Sequence, residues 1–299
     1  MSSERIRPAA EADLDAIGSI WFEDQVGDDP DAPAPPPCPT PSLYRYELAS
    51  RELWVAERDG EVVAFAALLE RDGIWFLADM FVRRAHQSSG LGSALLRALL
   101  PRDERPCCTV SSADPRALSL YVRGGMRPRW PHFQLLVTLA DIRALPTDGI
   151  EAVQAQAGDA EMLRWDAEIS GRRREADHRY WVRERGGVPL WFRRAGAVVG
   201  YGYAQTRSDD LPWTPDAISL GPLGVRGLED AVGCVGAAVE WARGRASTVR
   251  IAVSGPHPAL PALLEAGFRI PGHLETFCAT MDEPFADPLR YVPSGGDLY

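Results

Sequence analysis

Gln87-Ser88-Ser89-Gly90-Leu91-Gly92 is the stretch on which the reading of this chain turns. It follows an apolar run from Ile74 to Val82 that predicts a strand, and it opens a run from Leu91 to Leu100 whose apolar spacing predicts a helix. Two glycines let the backbone turn tightly and come close to a ligand. The first amides of a helix have no partner within it and carry partial positive charge, so such a loop suits a phosphate or pyrophosphate. Taken alone it is equally a glycine-rich turn that starts a helix, and its surroundings must decide.

Upstream, Arg5–Arg7 reads as a short strand and Glu11–Ile17 as the start of a helix, with acids in the first turn and Leu14, Ile17 and Trp21 at helical spacing. Asp28–Pro41 is rich in proline and predicts a stiff, extended loop. A short helix over Leu43–Ser50 follows, then strands over Leu53–Glu57 and Val62–Leu69 joined by the turn Asp59-Gly60; Asp72-Gly73 marks another turn. Downstream come a strand near Cys107–Val110, a helix over Pro115–Arg123 and two strands flanking Pro131. A second characteristic segment lies about 30 residues beyond the glycine loop: Ala117-Leu118-Ser119-Leu120-Tyr121, then Gly125-Met126.

In these two segments and in the order of elements, residues 4–138 resemble the GNAT acetyltransferase superfamily, whose signature is Gln/Arg-x-x-Gly-x-Gly/Ala between its fourth strand and third helix. Two positions depart from the family pattern: Asp114 stands where Asn is usual and Met126 where Phe is usual. The resemblance implies an α/β fold with a mixed, mostly antiparallel sheet flanked by helices. It implies acetyl-CoA, or another short acyl-CoA, as the acyl donor. Backbone groups of Met80, Phe81 and Val82 would hold the pantetheine arm, the loop from Gln87 through Ser88, Ser89, Gly90, Leu91 and Gly92 to Ser93 the pyrophosphate, and Asp114 would border the cofactor. The fourth and fifth strands splay in that family, and the acyl group would lie in the gap.

The chemistry asks for two proton-handling groups. An amine attacking a thioester must lose a proton, and the leaving thiolate must gain one. Tyr121, by its family position, is the expected acid, although a free tyrosine (pKa about 10) gives its proton to a thiolate (about 8.5) only with help from the site. Asp79, on the fourth strand, is the leading base, acting through a water. His132 is a further candidate, but a lone strand histidine is more often structural.

The same plan recurs. Leu53-Trp54 with Gly60, Val62 and Val63 is echoed by Leu190-Trp191 with Gly196, Val198 and Val199, and Leu118–Met126 by Leu260–Phe268. The expectation is therefore a tandem: residues 1–140 as the acyl-CoA-binding catalytic domain and 148–299 as a degenerate GNAT-like copy. The copy has no Gly-x-Gly loop after its fourth strand, and Leu263 stands where Tyr121 stands in the first half. Arg172-Arg173-Arg174, Asp177-His178 and Tyr180-Trp181 lie on an expected helix that is either a solvated face or part of the acceptor pocket or interdomain seam. The tail Arg290–Tyr299 is apolar enough to suggest that it crosses to the first half, with Asp297 or the Tyr299 carboxylate beside the acceptor.

Composition narrows the function classes. A net charge of −10, with 16 Arg against 21 acids in residues 1–144 and the same in 145–299, speaks against general nucleic-acid or anionic-membrane binding. All 32 basic residues are Arg, which excludes lysine catalysis. The five cysteines lack metal-ligand spacing, the N-terminus carries no apolar leader, and no run is long enough to span a bilayer, so a cytoplasmic protein with reduced thiols and no metal is expected. The expected reaction is acyl transfer to a small-molecule amine. Two other readings stand beside it: an acyl-CoA-binding regulatory module without turnover, and acylation of protein N-termini or lysines.

Overall fold

The computed structural model describes residues 4–26, 40–100, 105–211, 213–214, 216–272, 274–295 and 298–299. The proline-rich segment expected as a stiff loop falls largely on residues 27–39, outside the described residues, as does Asp297. The first half runs β1 (Glu4–Pro8), α1 (Leu14–Val26), α2 (Ser42–Ala49), β2 (Leu53–Arg58), β3 (Glu61–Arg71), β4 (Ile74–Val82), α3 (Leu91–Leu99), β5 (Cys107–Ser111), α4 (Pro115–Arg123) and β6 (Arg127–Thr138). The second half repeats that order as β7 (Ile150–Gln154), α5 (Ala160–Ser170), α6 (Glu175–Arg183), β8 (Gly187–Arg194), β9 (Ala197–Gln205), β10 (Ile218–Val225), α7 (Ala231–Ala242), β11 (Thr248–Ser254), α8 (Ala259–Ala266) and β12 (Glu275–Ala279). A short β13 (Tyr291–Val292) follows. The hairpin turns correspond as well. Asp59 and Gly60 take φ of 53° and 86°, and Ala195 and Gly196 take 47° and 82°, the left-handed pair that matches strand twist.

All the strands join one sheet, in the order β1-β2-β3-β4-β5-β12-β6-β11-β10-β9-β8-β7, with β13 on β10. It is mixed and mostly antiparallel, the parallel pairs being β4–β5 and β10–β11. The last strand of each half has changed places with the other: β12 lies between β5 and β6, and β6 lies between β12 and β11. Each half is thus completed by a strand from its partner half. The expected pair of strands flanking Pro131 is one strand, β6. Pro131 has no N–H to give, and its carbonyl takes the Gly255 N–H at 2.7 Å just where the β11 ladder ends.

Strand alternation divides the buried side chains between two faces. Phe65, Leu69, Phe76, Cys108 and Phe277 share one cluster with α1, α2, α5 and α6. Ala64, Ala66, Leu77 and Cys107 pack on the other face with α3 and α4, and the second half's α7 and α8 cover the corresponding face there. A bulge in β4 interrupts the alternation. Ala67 pairs with Asp79 but Leu68 with Leu77, so Ala78 is an extra residue. The extra residue brings Asp79 onto the same face as Phe76, where strict alternation would put it opposite.

Arg172, Arg174, Asp177, His178, Tyr180 and Trp181 are buried rather than solvated and form the seam, whereas Arg173 stays exposed and pairs with Asp72 at 2.8 Å; the three arginines precede α6 rather than lying on it. Asp177 pairs with Arg71 at 2.7 Å and accepts from Tyr46 Oη at 2.5 Å, while Tyr180 stacks on Tyr46 with ring centroids 4.6 Å apart. Behind it, buried Asp166 binds Arg174 at 2.7 Å and His178 at 3.0 Å. The described part of the tail does cross to the first half, but Tyr299 does not reach the main cavity. Tyr299 is buried, stacked on Phe277 at 4.6 Å and tilted against Phe76 at 6.0 Å, with its main-chain oxygen accepting from Arg174 at 3.0 Å. An aromatic ring in that position is better sealed in the core than placed at a wet pocket, and it does not line the main cavity.

Candidate active site

β4 and β5 pair only from Trp75–Cys107 to Leu77–Thr109 and then part, immediately before the Ala78 bulge. A cavity of about 1350 Å³ fills the gap. Asp79, Met80, Phe81 and Val82 line it from β4, Gln87, Ser88, Gly90, Gly92 and Ser93 from the loop and α3, Asp114 from the N-cap of α4 and Tyr121 from within that helix. The structure therefore brings these sequence-predicted residues together. Ser89 and Leu91 are not part of the lining. The Ser89 hydroxyl donates to the His86 carbonyl at 2.6 Å, and Leu91 is buried in the core.

The loop geometry follows from its glycines. Gly90 caps α3 at φ 90°, a conformation that side-chain-bearing residues rarely adopt, and no side chain caps the helix. Its first-turn amides are accordingly available to an anion. A Cβ built on Gly92 would meet only Leu120 at 3.6 Å and Val82 at 3.8 Å, which is ordinary contact, so the wall is open there. Arg116 and Arg123 of α4 line the cavity too. Asp114 is committed locally: it caps α4 through the Arg116 N–H at 2.8 Å and pairs with the Arg116 guanidinium at 2.7 Å, which holds its carboxyl below the ordinary value. These features fit a diphosphate lying across the α3 N-terminus with an extended arm beside β4.

Tyr121 is 5% exposed and lies in the cluster under α3 and α4. Burial pushes its phenol above the ordinary range, and the charge of nearby Asp79 adds to the shift. It therefore carries its proton at neutral pH, the form in which a proton donor must start.

The same slot in the second half is filled. There, Leu223 and Gly224 of β10 pair with Val292 and Tyr291 of β13, and Val225 N–H donates to the Arg290 carbonyl at 3.1 Å. β10 even keeps the bulge, between Leu220 and Leu223, but Pro222 occupies the place that Asp79 has in β4. The chain's own tail thus takes the backbone groups that face the cavity in β4.

Sequence reasoning missed the far end of the cavity. Trp21, Asp24 and Tyr44 line it from α1 and α2, Gln134 and Leu136 from β6, and Arg250, Glu275 and the segment around Asp210, Leu211 and Trp213 from the second half. Their signal was weak: polar residues at alternate positions of β6, β11 and β12, meaningful only once the strand exchange places them together.

Residues 16–126 match the model of the family described as "Acetyltransferase (GNAT) family". The chain is 30% identical over 122 residues to the peptidyl-lysine N-acetyltransferase YiaC of Escherichia coli (strain K12), a match covering 40% of this chain and 81% of that protein. Its fold is similar to that of a Pyrococcus horikoshii protein of proposed acetyltransferase function, with a TM-score of 0.75 and 15% identity over 99% of this chain and 96% of that one. It is also similar to a tandem GNAT protein from the clavulanic acid biosynthesis pathway, with a TM-score of 0.60 and 18% identity over 93% of this chain and 98% of that one.

Proposed function

We propose that this chain, which belongs to the GNAT acetyltransferase family, moves an acetyl or other short acyl group from acyl-CoA to the amine of a small molecule. Residues 1–140 are the acyl-CoA-binding half, and 148–299 a degenerate copy that shapes the acceptor side. The observation that carries this reading is the continuity of one cavity from the uncapped α3 N-terminus, past Tyr121 and Asp79, to a far end walled by the second half.

In this reading the amides of Gln87 to Ser93 hold the pyrophosphate, with Asp114 at its edge. The backbone of Met80, Phe81 and Val82 holds the pantetheine arm. When bound, acyl-CoA supplies an activated thioester carbonyl. Asp79 takes a proton from the acceptor ammonium through a water, which frees the nitrogen lone pair to form the C–N bond as the C–S bond breaks. Tyr121 gives its proton to the departing sulfur and regains one from the second proton the nitrogen sheds on becoming an amide. The dry surroundings that keep the phenol protonated also disfavour a free thiolate, which helps the transfer.

Peptidyl lysine is the second reading, favoured by the likeness of the first half to YiaC. Asp210, Leu211, Trp213 and Thr214, with Pro271 and Gly272, line the cavity from the second half, and a wall on that side is the support for a small amine over a polypeptide in this reading. Thiol release from acetyl-CoA, measured with glucosamine, putrescine and a lysine-containing peptide, decides. Turnover with a small amine above that with the peptide is expected. Turnover with the peptide alone would replace the acceptor class, and acetyl-CoA binding without turnover on any amine would point to a regulatory module. Asp79→Asn is expected to lower the rate most at pH values below the acceptor amine's own pKa, where the amine arrives protonated. A loss that is uniform across pH would assign the base elsewhere.

A further inference from the structure

The strand exchange places one polar row across the middle of the sheet. Residues directly opposite on paired antiparallel strands share a face. Glu275 of β12 is opposite His132 of β6, and Ser254, Ala252 and Arg250 of β11 are opposite His132, Gln134 and Leu136. Glu275, His132, Gln134 and Arg250 thus lie on one face. Glu275 is also in step with Phe277, which pairs with Val110 of β5, so it belongs to the face that carries Asp79. Glu275, Gln134, Arg250, Val110 and Asp79 all line the cavity.

The contacts within the row give it direction. The Gln134 amide donates to Glu275 Oε2 at 3.2 Å. His132 Nε2 lies 3.9 Å from the same oxygen, and the His132 side chain is 0% exposed. Neither His132 ring nitrogen has a hydrogen-bond partner among the described residues. Burial pushes the imidazole down to about 4, so it is neutral at physiological pH and places no positive charge beside the carboxylate. Arg250, farther along, is bound by Asp210 at 2.7 Å, and Asp210 in turn takes Arg185 at 2.6 Å. A neutral histidine buried behind a carboxylate leaves that carboxylate's charge to be met from the cavity side, where Glu275 is part of the lining and His132 is not.

We propose that Glu275 is the residue that selects the acceptor: it binds the cationic group of a small amine across the gap from Asp79, with Gln134 holding the carboxylate in place. The second half would then act in catalysis through a strand it inserts into the first, by recognition rather than by a second cofactor site. This inference rests on the proposed acyl transfer to a small amine, and it narrows the acceptor class to compounds that bind as cations. Glu275→Gln keeps the shape and removes the charge. With acetyl-CoA and putrescine or glucosamine, whichever the parent turns over, the variant is expected to raise the amine KM by roughly tenfold or more. The change should appear in KM rather than kcat, with the acetyl-CoA Kd and Tm close to the parent, and Glu275→Asp should recover part of it. An unchanged amine KM in Glu275→Gln would overturn the assignment, as would equal losses in acetyl-CoA affinity and Tm. Absence of turnover with every small amine in the parent protein would instead overturn the underlying reading, so the two failures are separable.

Discussion

Tyr121→Phe is expected to lower turnover by roughly 10²-fold, the scale of losing a positioned general acid, while acetyl-CoA affinity stays nearly intact. The substitution removes one oxygen from a side chain that is otherwise held by the hydrophobic cluster under α3 and α4, so packing barely changes. Burial keeps the phenol protonated, and Tyr121 lies in the wall of the cavity between the parted strands, where the proposed reaction needs a proton donor. The check is a steady-state and single-turnover comparison on the same amine, with acetyl-CoA Kd measured separately. Unchanged single-turnover rates would make Tyr121 a packing residue only. Loss of acetyl-CoA binding along with activity would make it a structural one.

Gly92→Asp is expected to weaken acetyl-CoA binding by roughly 10²-fold or more, and Gly92→Ala to weaken it little. The contrast separates charge from bulk. A Cβ at Gly92 meets only ordinary contacts, the nearest being Leu120 at 3.6 Å, so added volume alone is accommodated. A carboxylate about 5 Å from a phosphate at an effective dielectric near 20 costs about 3 kcal/mol, which converts to about 10²-fold in Kd. Gly90 would behave differently, because its φ of 90° strains any side-chain-bearing residue whatever the space. Isothermal titration of the two Gly92 variants provides the check. Equal affinities would remove the phosphate from the α3 N-terminus.

The glycine loop, the hairpin turns and the repeated order of strands and helices were legible in the sequence because each is written in local chemistry. Gly90 must turn left-handed, Asp59-Gly60 must reverse the chain, and apolar periodicity marks each element where it stands. The cavity residues of β4, the loop and α4 follow from those same segments. The exchange of β6 and β12 was not legible, because pairing partners far apart in sequence leave no local mark, and both strands alternate like any last strand of their half. The far wall of the cavity was lost with it: Glu275, Gln134 and Arg250 share one face of the sheet only through that exchange. The bulge at Ala78 was equally silent, although it decides which face Asp79 joins. The tail was read rightly as too apolar for solvent. Its actual task, pairing β13 with β10 in the second half's slot and burying Tyr299 at the seam, depends on a gap that only the folded sheet reveals.

That filled slot makes the division of labour between the halves measurable. Among the described residues, the first half leaves its fourth strand unpaired by any strand on the β5 side beyond Leu77, where β10 carries β13, and it has an uncapped helix start after a Gly-x-Gly loop. Titrating acetyl-CoA into the full chain, by calorimetry, should therefore give one site per chain, and that site should be lost in Gly92→Asp. Two sites per chain, or one site that Gly92→Asp leaves untouched, would contradict the account.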